Sequence, residues 1–191
     1  ADDPSEVPGF SSRGYTQDDR VKPDVVAPGR GVVSLKSPDT DNTFYGTLSN
    51  DSDYMWSSGT SMSNPLVAGA SSVVVEFYKE DHGERPSPAM VKALLVNAAV
   101  DLNETTGNTG PIPNPEEGWG RVNLPPIIDP KVSTFLRDQE TRLKGGDLES
   151  YTVEYDDIDR PMNISLVWTD PPSSPINNVH LMNDLDLKVI G

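Results

Sequence analysis

The sequence predicts an α/β unit followed by an all-β segment. Up to about Asn123, short apolar strands alternate with two helical stretches. After about Lys131, apolar and polar residues alternate with a period of two. This change of pattern predicts a boundary near residue 130, with residues 1–130 in one domain and residues 131–191 in another. The 191 residues suffice for about one and a half ordinary domains.

Short buried strands open the first unit. Residues 25–26 and 32–35 are apolar and lie on either side of a Pro-Gly turn at residues 27–29. Residues 37–53 are polar and show little periodicity, so they predict a loop.

Two helices follow this loop. Apolar residues recur at helical spacing at Val67, Ala70, Val74 and Phe77. The small residues between them predict a helix that is buried on most of its circumference. Pro65 is best tolerated near a first turn, so the helix begins close to Ser61, and Gly83 caps its end. The second helix has Ser87 as N-cap and Pro88 at its first position.

The end of the chain shows a different periodicity. After the helices, Pro125-Pro126 stops any helix that Asn123 opens. Alternation then occurs around Tyr151, Val153 and Tyr155, around Ile164, Leu166 and Trp168, and around Leu185, Leu187 and Val189. This pattern predicts an antiparallel β-sandwich or jelly roll. The strands are too few to complete one, since a jelly roll needs about eight.

Composition excludes several classes of function. A formal charge of -15 argues against nucleic acid and anionic membrane as partners, because both would be repelled. The chain has no cysteine, which rules out disulfides and thiolate chemistry. No apolar run approaches the roughly 20 residues of a membrane-spanning helix. The acidic balance indicates a well-solvated surface, or carboxylates that hold structural Ca²⁺, although no EF-hand spacing is present.

The candidate chemistry lies in the segment Ser58-Gly59-Thr60-Ser61-Met62-Ser63-Asn64-Pro65. A serine at the start of a buried helix can direct its backbone N–H at an oxyanion. Gly59 would let the substrate approach closely, or it serves the conformation of the turn. The alternative is that Thr60 or Ser61 is an ordinary N-cap, and spacing alone favours that alternative.

The residues resemble the subtilase family of serine proteases. The motif Gly59-Thr60-Ser61-Met62, followed after two residues by Pro65 and then by Val-Ala-Gly, is similar to that family's nucleophile motif. The segments Phe10-Ser11-Ser12-Arg13-Gly14, Lys22-Pro23-Asp24-Val25-Val26-Ala27-Pro28-Gly29 and Gly118-Trp119-Gly120-Arg121-Val122-Asn123 resemble the same family, in the same order.

This resemblance implies an α/β fold and a catalytic role. Residues 1–130 would be the C-terminal part of a three-layer domain with a mainly parallel sheet. Ser61 would be the nucleophile, with Gly59 and Thr60 supporting the oxyanion site and the substrate cleft. The resemblance also implies a polypeptide substrate, no cofactor for the chemistry and an extracellular location.

The base is missing from these residues. Serine catalysis needs a base within about 3 Å of the hydroxyl. His82 follows Ser61 by a helix on the order of 25–30 Å long, so it is too distant. His180 lies in a Pro- and Asn-rich loop, which favours a surface role. In subtilases the Asp, the His and the oxyanion Asn precede the serine, which places them before Ala1.

Three interpretations follow. The chain is a fragment of an active protease that is inactive alone and is completed by an N-terminal part of the same protein. It is instead part of an inactive homologue that acts as a structural or protein-binding module. In the third, the segment 131–191 is itself a binding domain. Two segments resemble the β-sandwich that follows the catalytic domain in oxidant-stable alkaline subtilases: Ile164-Ser165-Leu166-Val167-Trp168-Thr169-Asp170-Pro171-Pro172 and Asn183-Asp184-Leu185-Asp186-Leu187.

Overall fold

The computed structural model describes residues 6–39, 46–48, 50–102, 110–129, 131–138, 142–155, 161–174 and 176–190. In chain order the described elements are β1 (Gly14–Tyr15), β2 (Val21–Lys22), β3 (Val32–Leu35), β4 (Thr47–Leu48), β5 (Asp51–Ser57), α1 (Thr60–His82), α2 (Pro88–Asn97) and α3 (Pro125–Ile128). This mixture of helices and strands agrees with the predicted α/β class.

The strands form two small antiparallel sheets. β1 pairs with β2, and β5 lies between β3 and β4. The strand predicted at residues 32–35 is confirmed as β3, but its predicted burial is wrong, because Val33 is 39% and Leu35 71% exposed. The strand predicted at residues 25–26 is not a strand, since Val26 forms only an isolated bridge. The loop predicted at residues 37–53 is wrong in part, because it contains β4 and the start of β5. The first residues of β5 are polar, and they are exposed in the structure. They belong to a strand nonetheless, because β5 pairs with β4 through its backbone.

The mainly parallel sheet that the family resemblance implied is not confirmed. Every strand ladder among the described residues is antiparallel. Parallel pairing occurs at a bridge between Val26 and Arg121. Around this bridge, the Val26 N–H donates to the Gly120 carbonyl at 3.0 Å and the Val122 N–H donates to the Val26 carbonyl at 3.0 Å.

The bounds of α1 agree with the prediction. The helix begins at Thr60 and ends at His82, and Gly83 adopts the left-handed conformation with φ 78°. The Gly83 N–H donates to the Lys79 carbonyl at 2.9 Å, which closes the last turn. The glycine was therefore correctly identified as the C-terminal cap.

The predicted burial of α1 is wrong. Its buried residues are Ala70, Val74 and Tyr78, whereas Leu66 is 46% exposed and Val73 40% exposed. The reason is that α2 and α3 pack against one side of α1. The apolar and small side chains on the other sides have no cover within the described residues.

The start of α2 is confirmed in detail. Ser87 is the N-cap, its Oγ accepts a hydrogen bond from the Met90 N–H at 3.1 Å, and Pro88 is the first helical residue. Both carboxylate oxygens of Asp138 also bind this cap: one accepts from the Ser87 N–H at 2.6 Å, the other from the Ser87 hydroxyl at 2.7 Å. A residue far along the chain therefore completes the helix start.

Ser87→Ala is expected to lower the free energy of unfolding by about 1–2 kcal/mol. The variant removes the cap and one of the two donors to Asp138, and N-cap losses cost about 0.5–2 kcal/mol. Urea denaturation measures the change. Ser72→Ala, at an exposed serine within α1, serves as the control and is expected to change the free energy by less than about 0.5 kcal/mol. Equal stability of the Ser87 variant and the parent would contradict this account of the cap.

The core lies between the three helices. It contains Ala70, Val74, Tyr78, Met90, Leu94, Leu95 and Ile127. Ile127 comes from α3, which corrects the expectation that Pro125-Pro126 only stops a helix. Instead the prolines occupy the first positions of a short one, where the missing N–H groups cost little.

The β-sandwich predicted for residues 131–191 is not confirmed. No helix or strand occurs among the described residues beyond α3. Alternating residues such as Tyr151 and Val153 are exposed, and no strand pairs with this segment in the described region. The segment does contact the helical part: Leu136 packs against the core, and the Asn97 amide donates to the Ser165 hydroxyl at 3.0 Å.

Candidate active site

Ser61 lies in the first turn of α1, with its side chain exposed. The N-cap is Gly59, and no side chain caps this end of the helix. The alternative that Thr60 or Ser61 is an ordinary N-cap is therefore wrong. Within the described part of the chain, no hydrogen bond engages the Ser61 hydroxyl.

Gly59 is required for its backbone conformation. Its φ of 150° and ψ of 165° lie in a region that residues with a side chain rarely adopt. A Cβ at this position would meet only ordinary contacts, the Met62 sulfur and the Ser61 nitrogen at 3.9 Å. Of the two explanations that the sequence left open, this geometry supports the role in the turn.

The turn before Ser61 is held by a neighbouring loop. The Gly59 N–H donates to the Gly29 carbonyl at 2.7 Å, and the Gly31 N–H donates to the Ser58 hydroxyl at 2.9 Å. A Cβ on Gly29 would overlap the Ser63 hydroxyl and lie 2.9 Å from the Gly59 carbonyl oxygen. The loop can approach this closely only because residue 29 is a glycine.

Gly29 was not among the predicted site residues. Its segment was noted only as a Pro-Gly turn and as part of the family resemblance. The signal that could have identified Gly29 is its position directly after Pro28, in a turn. A glycine in this turn and a glycine at residue 59 would allow the two backbones to lie in close contact. Which two turns meet depends on the fold.

The electrostatics of the first turn of α1 suit an anion. The helix has 23 residues, and no acidic side chain lies in its first turn. Its free N–H groups carry partial positive charge. The arrangement can stabilise negative charge that develops beside Ser61.

A second glycine-containing segment, residues 118–122, binds the chain that leads into the loop of Gly29. The Trp119 N–H donates to the Asp24 carbonyl at 3.0 Å, next to the Val26 bridge described above. Gly118 and Gly120 have φ values of 65° and 114°. A Cβ on Gly118 would overlap the Pro23 carbonyl, and a Cβ on Gly120 would overlap the Val100 carbonyl. Residues 118–122 therefore fix the chain that leads into Gly29.

Asp24 binds two lysines beside this contact. Its carboxylate lies 2.5 Å from the Lys22 Nζ and 2.7 Å from the Lys92 Nζ. Partial burial raises the pKa of Asp24, but the hydrogen bonds and charges of the two lysines outweigh it and hold the pKa below its ordinary value. The Lys92 pair connects α2 to the strand region.

Asp24→Asn is expected to destabilise the protein at neutral pH but not in acid. The pKa is lower in the folded than in the unfolded state, so the ionised group stabilises the fold above about pH 4. That contribution is lost as the pH falls through the folded pKa. The lysines are 42% and 44% exposed, so the loss at pH 7 is about 1 kcal/mol.

Urea denaturation at pH 7 and near pH 2 measures this effect. Asp53→Asn, at an exposed aspartate, is the matched control and is expected to change little at either pH. A deficit of equal size at both pH values would show that the Asp24 charge does not contribute.

Neither described histidine hydrogen-bonds Ser61. His82 is the last residue of the helix in which Ser61 is the second, so about 30 Å separates them. Its ring stacks on Tyr78 with centroids 4.1 Å apart. His180 hydrogen-bonds Ser173 through its ring and Asp18 through its backbone N–H.

The described residues contain neither a candidate metal-binding cluster nor a helix that could cross a membrane. In that part of the chain, no group of three or more His, Asp or Glu side chains could hold a metal ion. Structural Ca²⁺ therefore stays a prediction without an identified site. No described helix has the length and apolar character needed to cross a membrane.

Comparison with known proteins identifies the family. A family profile described as the subtilase family, Peptidase_S8, matches residues 1–120. The chain is 30% identical to the serine protease/ABC transporter B family protein tagD of Dictyostelium discoideum, over 97% of the chain and 13% of that protein. It is 31% identical to the minor extracellular protease Vpr of Bacillus subtilis, over 78% of the chain and 18% of that protein.

The family match includes the segment of Ser61 and the loops that contact it. The profile match covers the turn at Gly59, the helix that begins at Thr60 and the glycines at residues 118 and 120. The chain spans less than a fifth of the length of the two relatives named above. The chain belongs to the subtilase family of serine proteases.

Proposed function

We propose that this chain carries the nucleophile of a serine endopeptidase. Ser61 attacks a peptide carbonyl and forms an acyl-enzyme once a segment outside these residues supplies the His, the Asp and the oxyanion Asn. The observation that carries the proposal is an exposed serine in the first turn of a helix whose cap is a glycine, so that neither its hydroxyl nor its neighbour's has a capping role.

Two groups of Ser61, the side-chain Oγ and the backbone N–H, take part in the proposed hydrolysis of the peptide bond. The Oγ forms a bond to the carbonyl carbon while its proton passes to the imidazole, which then gives the proton to the leaving amine. Water hydrolyses the resulting ester and frees the serine. The Ser61 N–H donates to the oxyanion, and one such donor is typically worth about 2.7–4 kcal/mol of transition-state stabilisation.

The exposed sides of α1 support completion by another segment. Leu66 and Val73 present apolar surface on the same face as the small residue Gly69, on the helix that carries Ser61. An N-terminal part of the same protease that packs there would bury this surface and bring a base to the helix start. We take that part as the partner, in agreement with the greater length of the relatives.

The substrate and the location follow from the family. Family membership supports a polypeptide substrate, and the charge of -15 disfavours nucleic acid and anionic membrane. One relative is named an extracellular protease, which supports an extracellular site of action. The chemistry uses only side chains and water, so we propose that it needs no cofactor.

A fluorophosphonate tests the proposal in the full-length protein. The reagent labels only a serine that a base has activated, so mass spectrometry of the digest is expected to find the phosphonyl group on Ser61. The Ser61→Ala variant and the heat-denatured protein are the controls, and both are expected to remain unlabelled. A folded protein that stays unlabelled would support the inactive homologue instead.

A further inference from the structure

A buried carboxylate lies behind the chain that supports Ser61. Glu117 is fully buried, with 0% of its surface exposed, and none of the ion pairs among the described residues includes it. One carboxylate oxygen accepts from the Leu102 N–H at 2.8 Å, and the other accepts from the Asn114 amide at 3.1 Å. A buried carboxylate needs such donors, because its desolvation is costly.

Hydrogen bonds fix the orientation of the Asn114 side-chain amide, which binds Glu117. The Asn114 oxygen accepts from the Glu116 N–H at 2.9 Å and from the Glu117 N–H at 3.1 Å. Its nitrogen donates to the Gly110 carbonyl as well as to Glu117. The amide therefore presents a donor to the carboxylate, and position 117 needs a side chain with two acceptors.

Backbone contacts connect Glu117 to the nucleophile. The Glu117 carbonyl accepts from the Gly120 N–H at 3.1 Å, and the Gly120 carbonyl accepts from the Val26 N–H at 3.0 Å. Val26 leads directly into the loop of Gly29, whose carbonyl holds the Gly59 N–H at 2.7 Å. Each of these contacts joins two backbone groups. The backbone packs so closely at Gly118 and Gly120 that neither position has room for a Cβ.

We propose that Glu117 is a positioning residue for the protease reaction. Its carboxylate fixes residues 118–122, which fix the Gly29 loop, which in turn sets the direction of the Ser61 hydroxyl and N–H. This inference rests on the proposed function of Ser61. It assigns a role in the reaction to a residue that touches neither substrate nor the reacting atoms.

Glu117→Gln in the full-length protein tests the assignment. Glutamine has the same shape, but only one of its two terminal atoms accepts, so its amide nitrogen would face either the Leu102 N–H or the Asn114 amide. We expect kcat per active site to fall about tenfold with KM unchanged within about twofold, because small misplacements of reacting groups are costly. Titration with a fluorophosphonate counts the active sites.

Two further variants separate positioning from simple loss of structure. Glu117→Asp keeps the charge but withdraws the acceptors, so we expect a smaller fall. Glu116→Gln, at the adjacent and partly exposed glutamate, is the matched control and is expected to leave kcat unchanged.

The rate per titrated site decides the outcome. A purely structural role would lower the melting temperature and the number of titrated sites but leave kcat per site at the parent value, and that result overturns the proposal. An equal fall in Glu116→Gln overturns it too. If Glu117→Gln does not fold, Glu117→Asp decides by the same measurement. Failure of the proposed function is seen separately, as absence of label on Ser61 in the parent protein.

Discussion

Ser61→Ala in the full-length protein is expected to lower kcat for peptide hydrolysis on the order of 10⁶-fold. That magnitude was measured in subtilisin, a member of this family, and is not calculated from the present geometry. The loss is large because no acyl-enzyme can form without the hydroxyl, and the remaining groups only stabilise charge. The side chain is exposed and uncapped, so the free energy of unfolding is expected to change by less than about 0.5 kcal/mol.

Steady-state kinetics on a peptide amide, together with urea denaturation, measure both parts of this prediction. Ser72→Ala is the control, because it removes another exposed serine hydroxyl from the same helix about three turns away. Its kcat is expected to equal that of the parent. Amide hydrolysis by Ser61→Ala at more than about 1% of the parental rate would exclude Ser61 as the nucleophile.

Gly118→Ala is expected to destabilise the protein by about 2–5 kcal/mol. The φ of 65° costs a residue with a side chain about 1–2 kcal/mol. The added methyl group would also overlap the Pro23 carbonyl and lie 2.5 Å from the Asp24 carbonyl, and such overpacking costs about 1–3 kcal/mol. These neighbours are backbone atoms, so they cannot move aside as a flexible side chain would.

Thermal denaturation measures the Gly118 effect, with an expected fall in Tm on the order of 10 °C. Gly145→Ala is the matched control, because nothing lies within 4 Å of the added methyl group and the backbone there requires no glycine. Its Tm is expected to stay close to the parental value. If the two variants melt alike, the close contact between residues 23–24 and 118 does not form in solution.

Local signals in the sequence predicted the ends of the helices. Gly83 ends α1 because its conformation needs no Cβ, and Ser87-Pro88 starts α2 because the hydroxyl replaces a missing acceptor. These effects act within a few residues. They can be recognised without knowledge of the rest of the fold.

The errors arose where the outcome depends on distant parts of the chain. The small residues of α1 suggested burial on most sides, but burial needs neighbours, and α2 and α3 cover one side. The alternation after residue 131 suggested strands, but a strand needs a partner, and the described segment has none. Periodicity indicates which side chains share a face, and it does not indicate what covers that face.

The candidate site divides in the same way. Ser61, Gly59 and Thr60 were predicted as site residues because they are contiguous in a motif that resembles the subtilase nucleophile motif. The contacts of Gly29 and Glu117 were not predicted, because they join turns that are far apart in sequence. The structure also shows that Gly59 occupies the N-cap, which rules out Thr60 and Ser61 as the cap.

The most direct test is a crystal structure of the full-length protein with a phosphonate bound to Ser61. We expect an imidazole from outside these residues within about 3 Å of the Ser61 Oγ, and the phosphonyl oxygen within about 3 Å of the Ser61 N–H. A serine hydroxyl enclosed by packed side chains, or one with no imidazole in reach, would contradict the assignment of Ser61 as a protease nucleophile.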